Sequence, residues 1–149
     1  MKKLIIFIML FIGFTKIMAV DKQDFIVKHI VSVYDGDTFR ADLNCTNKFF
    51  CKNIPIRVYG VDTPEMKGGS KTVREKVLTH KAQKVTKKFL TEAMNSRGII
   101  LKDCFRGKYF RLVCKVRNGN CDLLSKLLIK KGLGVEYFGK KKVVDWSKR

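Results

Sequence analysis

Apolar residues recur at alternate positions through Phe25 and Val27, then Ile30, Val31 and Val33, so the segment Phe25 to Tyr34 reads as a β-strand. Asp35-Gly36 is a two-residue turn signal, and Thr38 to Leu43 continues as the returning strand. Beyond a loop flanked by cysteines, Ile54 to Val61 forms a third strand. Pro55 lacks a ladder donor and suits an edge or the start of that strand. Asp62-Thr63-Pro64 ends it, because proline disfavours helix in the residue before it and cannot donate to a ladder. A glycine- and lysine-rich loop from Met66 to Thr72 follows, and then the period changes. Val77, Ala82, Val85, Phe89 and Ala93 share one face of a helix over about Val73 to Met94, with lysines opposite. Asn95 to Gly98 closes it, with Gly98 as a left-handed cap. Ile99-Ile100-Leu101 and Tyr109 to Val116 read as two strands joined by a turn through Arg106-Gly107. Asn118-Gly119 turns again, Asp122 to Lys131 is a short amphipathic helix, and Gly132 stops it. The tail from Val135 to Arg149 has no clear period, and no segment repeats. Three strands, a helix, two strands and a helix predict a mainly β fold, a five-stranded Greek-key barrel of the OB type with two α-helices packed around it.

The chain before these elements has a different character. Lys2 and Lys3 precede an apolar run from Leu4 to Phe14, closing on Thr15-Lys16-Ile17-Met18-Ala19. That is the layout of a secretory signal peptide over residues 1–19, with cleavage expected after Ala19 and a domain spanning 20–149. A membrane anchor is the competing reading, but the run is short against the roughly 20 apolar residues a span requires.

Charge narrows the partners. The chain carries 32 Lys and Arg against 13 Asp and Glu, a formal charge of +19. This favours polyanions, nucleic acid or anionic lipid, and says nothing about fold. Five cysteines, Cys45, Cys51, Cys104, Cys114 and Cys121, all follow the signal segment. Export would place them where disulfides form. Cys45 and Cys51 flank a loop they are suited to staple, and the odd count leaves a thiol free. Cys114, inside a strand pattern, reads as a small buried residue without a redox role. The spacing fits no zinc motif.

The candidate chemistry gathers where strands end. Asp35 and Asp37 flank the first turn, with Gly36 allowing a sharp fold, so one of the two serves the turn and the other a cleft. Asp62 and Glu65 bracket Pro64 just past the third strand. Carboxylates with a backbone carbonyl make an oxygen site for Ca²⁺ or Mg²⁺, not for softer metals. Arg57, five residues before Asp62, is placed to clamp a phosphate beside such an ion, and Arg111 brings a second guanidinium.

With Asp35-Gly36-Asp37-Thr38, Arg57, Val61-Asp62-Thr63-Pro64-Glu65, Lys108-Tyr109-x-Arg111 and Gly132-Leu133 in this order, the chain from about Val31 to Tyr137 resembles the staphylococcal (micrococcal) nuclease, or thermonuclease, family. The resemblance implies an OB barrel and a secreted, Ca²⁺-dependent endonuclease that hydrolyses DNA and RNA to 3′-phosphate ends. By motif position Asp37, Asp62 and the Thr63 carbonyl would bind calcium, Arg57 and Arg111 would contact the phosphate, and Glu65 would act on the water. Asp35 would be a turn residue. Lys108, Tyr109 and Tyr137 would touch substrate, the tyrosines by stacking. The chain is expected to act as a monomer without stable membrane association once the signal is removed. Two features depart from the family: the Met66 to Ser70 loop does not match, and the tail lacks a convincing third helix. Two rival readings are a barrel that binds nucleic acid without cutting it and a tethered cationic protein acting on envelope polyanions.

Overall fold

The computed structural model describes residues 22–46, 51–66, 72–139 and 144–148. The expected signal segment, most of the glycine- and lysine-rich loop and the lysines at 140–142 lie outside the described residues. Five strands close a barrel: β1 (Gln23–Val33), β2 (Thr38–Leu43), β3 (Ile54–Val58), β4 (Ile99–Arg106) and β5 (Leu112–Asn118), in the order β1-β2-β3-β5-β4. All neighbours are antiparallel except β3 and β5, which run parallel. The expected OB-type barrel with two α-helices is therefore present, the helices being α1 (Val73–Met94) and α2 (Leu124–Lys130).

Alternation drives the closure. Phe39, Ala41, Ile56, Val58, Ile99, Leu101 and Val116 point inward and are buried, while Thr38, Arg40 and Arg57 lie on the outer face between them. Two register shifts in β1 against β2 let one strand curve round to pair with β4 as well. Pro55 sits opposite Arg40 on β2, one residue before pairing with β5 begins at Ile56, so its missing N–H disrupts no bond to β5.

Several boundaries differ from the sequence reading. β4 runs on from Leu101 to Arg106, through a bulge at Asp103 (φ 53°). Its charged residues are held across strands: Lys102 pairs with Asp24, and Lys115 Nζ lies 2.6 Å from Asp103. β5 starts at Leu112 instead of Tyr109, because Lys108–Phe110 forms a 3₁₀ turn closed by Gly107 N–H donating to Arg111 O at 2.8 Å. β3 stops at Val58, short of Val61, and α2 is trimmed at both ends.

Cys114 is buried but not unpaired. It bridges Cys104 across the β4–β5 pair, with Cα atoms 4.3 Å apart, and Cys45 bridges Cys51 as the loop position suggested. Cys121 is the free, exposed thiol.

Helix α1 begins on Thr72, whose hydroxyl accepts the Glu75 N–H at 3.1 Å. It ends at Gly98 (φ 82°), whose N–H returns to Ala93 O at 2.8 Å. Ala82, Phe89 and Ala93 face the barrel as expected, but Val77 is exposed and Thr79 and Thr86 are buried in its stead. Thr79 donates to Glu75 O at 2.9 Å and Thr86 to Gly36 O at 2.6 Å, so neither hydroxyl is buried without a partner. Past α2, Asp62 and Val135 form an isolated antiparallel bridge that lays the tail along the end of β3. A final 3₁₀ turn, Trp146–Lys148, packs against α1 with Trp146 buried. Among the described residues no helix is long and apolar enough to cross a membrane.

Candidate functional site

The turn between β1 and β2 carries the first carboxylates. Tyr34 N–H donates to Thr38 O at 2.9 Å, so the reversal spans more than the two residues Asp35-Gly36. Gly36 is not in the left-handed region; it is needed for close approach. A Cβ there would meet Ala82 Cβ at 2.7 Å and Thr63 Cγ2 and Oγ1 at 2.8 Å. Helix α1 therefore presses directly on the turn, and Gln83 Nε2 donates to Val33 O and Tyr34 O, each at 3.0 Å.

Held this way, the two aspartates divide their work. Asp35 Oδ1 accepts the Asp37 N–H at 3.2 Å, an Asx-type turn bond. Asp37 Oδ1 accepts from Thr38 Oγ1 at 3.0 Å and from Arg57 Nη1 at 2.7 Å, while its Oδ2 accepts the Thr63 N–H at 2.9 Å. Arg57 Nη2 donates to Asp62 Oδ1 at 2.8 Å. One guanidinium thus spans two carboxylates, and the side chains of Arg57, Asp37 and Asp62 are only 14%, 2% and 4% exposed.

Asp35, Asp37 and Asp62 are buried around the largely buried guanidinium of Arg57. Burial and the neighbouring Asp37 charge push the Asp35 carboxyl up to about 7. Burial also raises Asp37, against the opposing pull of Arg57 and the Thr63 amide. Burial works to lower the Arg57 pKa, but Asp37 and Asp62 more than offset it and hold the guanidinium above its ordinary value. The cluster's donors are hard carboxylate and main-chain oxygens, so the residues present fit a hard divalent cation. Among the described residues no three His, Cys, Asp or Glu side chains group closely enough to hold a metal. An ion here would draw on two carboxylates plus main-chain oxygen, as at Thr63.

The other expected residues lie around this centre. β3 and β5 pair Arg57 with Val113, so Arg111, two residues earlier, is a diagonal neighbour of Arg57 on the outer face. Arg111 also lies over the Tyr109 ring at 5.9 Å. On the opposite flank, Arg57 lies 5.8 Å from the centre of the Tyr137 ring. Tyr137 is delivered by the tail bridge at Asp62, which requires a bare backbone at Gly134, where a Cβ would stand 2.5 Å from Val61 Cγ2. Glu65 is exposed just beyond Pro64, with its carbonyl 3.4 Å from the Thr79 hydroxyl. Lys108 is exposed on the 3₁₀ turn. Sequence reasoning missed the supports, Gln83, Thr79 and Thr86. The available signal was Thr79, Ala82 and Thr86 recurring at helical spacing on the face of Phe89 and Ala93.

Small OB barrels are a class whose strand faces and loops bind oligonucleotides or oligosaccharides, and an arginine-bridged acidic cluster suits a phosphate. Among families of that class, the chain belongs to the staphylococcal nuclease homologue family, whose family model matches residues 55–148, more than half the chain. The match holds Arg57, Asp62, Thr63, Glu65 and Arg111; the hairpin that brings Asp37 precedes it. No curated protein matches the chain at a significant level.

Proposed function

We propose that this chain is an exported, calcium-dependent endonuclease that hydrolyses DNA and RNA and leaves 3′-phosphate ends. The observation that carries the reading is the Arg57 bridge between the buried carboxylates of Asp37 and Asp62, hard oxygen donors gathered beside one guanidinium. Asp37, Asp62 and the Thr63 carbonyl would hold the ion, which would polarise a phosphoryl oxygen and neutralise charge on the phosphate.

The rest falls to the chain. Arg57 keeps N–H donors beyond those bonded to the aspartates, and with Arg111 it clamps the phosphate and stabilises the negative charge that grows on its oxygens. Glu65 holds the attacking water, a role that contributes roughly 10²–10⁴ in rate where a carboxylate acts as general base. Water adds at phosphorus, the bond to the 5′ oxygen breaks, and that oxygen leaves as a hydroxyl. Lys108, Tyr109 and Tyr137 grip the substrate on either side. Two disulfides among the described residues support export, since such bonds persist in oxidising compartments.

The test is cleavage of single-stranded DNA and of RNA by residues 20–149, in calcium and in excess chelator, beside an Asp37→Ala, Glu65→Ala double variant. Calcium-dependent cutting that the double variant loses is the expected result. A folded wild-type domain that retards nucleic acid on a gel yet cuts neither would overturn the enzyme reading in favour of a binding module.

A further inference from the structure

Whereas Tyr137 lies past the end of β3, its N–H on Gly60 O, a groove of about 500 Å³ opens at the start of that strand, beside Pro55 and Thr38. Tyr34 and Arg40 line it from the β1–β2 hairpin, Pro55 from β3, and Tyr109 and Arg111 from the turn ahead of β5. Thr38 is the one motif position on the hairpin wall; Tyr34 and Arg40 belong to none of the motifs. We propose that this groove is a second nucleoside subsite, holding the nucleotide on the other side of the scissile phosphate from the one at Tyr137. The inference rests on the nuclease reading above and specifies the substrate further: at least two linked nucleotides, with the groove-side base unpaired and unstacked.

Three observations support it. First, the register pairs Arg57 with Val113, two residues after Arg111, with Tyr137 against Arg57 and Tyr109 against Arg111. A phosphate held by both arginines therefore has an aromatic ring on each side of it. Second, the turn displays its aromatics at a backbone cost. Tyr109 and Phe110 both adopt φ 57°, a region that residues other than glycine seldom enter, and they are 83% and 79% exposed. Burial cannot repay that strain, whereas a base stacked on Tyr109 would. Third, the groove has the composition a nucleotide needs. Tyr34 (41% exposed) and Pro55 give flat apolar surface, Arg40 and Arg111 face a polyanion, and the volume lies in the ordinary range for ligand sites. Arg40 is steadied by donating to Asn53 O at 2.8 Å.

The experiment uses Tyr34→Ala and Tyr34→Phe in the 20–149 domain, with two substrates: a short single-stranded oligonucleotide, and a nucleoside phosphodiester whose second ester is p-nitrophenol. Stacking of one base is worth about 1–3 kcal/mol, so Tyr34→Ala should raise KM for the oligonucleotide about tenfold. Its hydrolysis of the nitrophenyl ester should stay within about twofold of wild type, and Tyr34→Phe, which keeps the ring, should match wild type on both. Equal losses on both substrates, or an unchanged KM for the oligonucleotide, overturns the subsite. Fluorescence anisotropy with a labelled trinucleotide in chelator separates the two readings. If wild type cuts nothing, the nuclease reading fails, and the subsite still stands or falls on whether Tyr34→Ala weakens that binding about tenfold.

Discussion

Replacing Arg57 with alanine tests the charge accounting of the site without reference to catalysis. The substitution removes the one guanidinium bonded to Asp37 at 2.7 Å and to Asp62 at 2.8 Å, and leaves both carboxylates, 2% and 4% exposed, without it. Breaking a buried ion pair from one side costs about 3–5 kcal/mol, because the remaining charge keeps its desolvation penalty and loses its partner. An exposed pair would cost about 0–1 kcal/mol. The two cases are far enough apart to decide. Urea unfolding in chelator, followed by the fluorescence of Trp146, the chain's single and buried tryptophan, gives the difference directly. The expected loss is about 3 kcal/mol or more. Calcium should restore part of it, since a ligand at 100 times its Kd adds about 2.7 kcal/mol to the folded state. That increment should be larger for the variant than for wild type, whose carboxylates already have a cation. A loss under about 1 kcal/mol in chelator, together with equal calcium increments, would refute the reasoning.

Three further outcomes are expected. Gly36→Ala must push Ala82 Cβ or Thr63 away from contacts of 2.7–2.8 Å; overpacking of this kind costs about 1–3 kcal/mol, and urea unfolding should show it along with loss of cleavage. Arg111→Ala, on the outer face and outside every strand, should leave the urea midpoint unchanged while turnover on oligonucleotides falls by orders of magnitude; unchanged turnover would remove it from the site. Replacing Cys104 and Cys114 together by alanine should cost about 3 kcal/mol of unfolding free energy from loop closure alone, and the Cys45–Cys51 pair about 2, measured by urea unfolding of the oxidised forms.

Local periodicity carried much of the architecture. β2 and α1 occupy Thr38–Leu43 and Val73–Met94, where the alternation and the helical face placed them, because both elements bury one regular stripe. What the sequence hid was non-local. Lys102 and Asp103 break the alternation of β4, and only their partners Asp24 and Lys115, on other strands, make sense of them. Thr79 and Thr86 read as polar helix positions until the carbonyls they reach are known. The Cys104–Cys114 bridge depends on a strand pairing that spacing alone does not give. In the site, the carboxylates and arginines were legible as residue types at strand ends. The bond network joining them was not, since Asp37 and Thr63 meet across 26 positions of chain.

The barrel also explains why such a site can be rigid without many contacts of its own. β2 and β3 pair Thr38 with Arg57 and Phe39 with Ile56, so the outward residues of the site alternate with inward residues of the core. A slip of one residue would turn Phe39 and Ile56 out to solvent at the same time as it turned Thr38 and Arg57 in. The register that packs the core is therefore the register that sets Arg57 beside Asp37, and the free energy of burying Phe39, Ile56 and Val58 holds that arginine in place. Helix α1 adds the other constraint, through Ala82 against Gly36 and Thr86 on its carbonyl, fixing the turn that carries Asp37. Core packing and site geometry are in this sense one specification, so a substitution inside the barrel that shifts β2 along β3 should disturb metal and phosphate binding before it unfolds the chain.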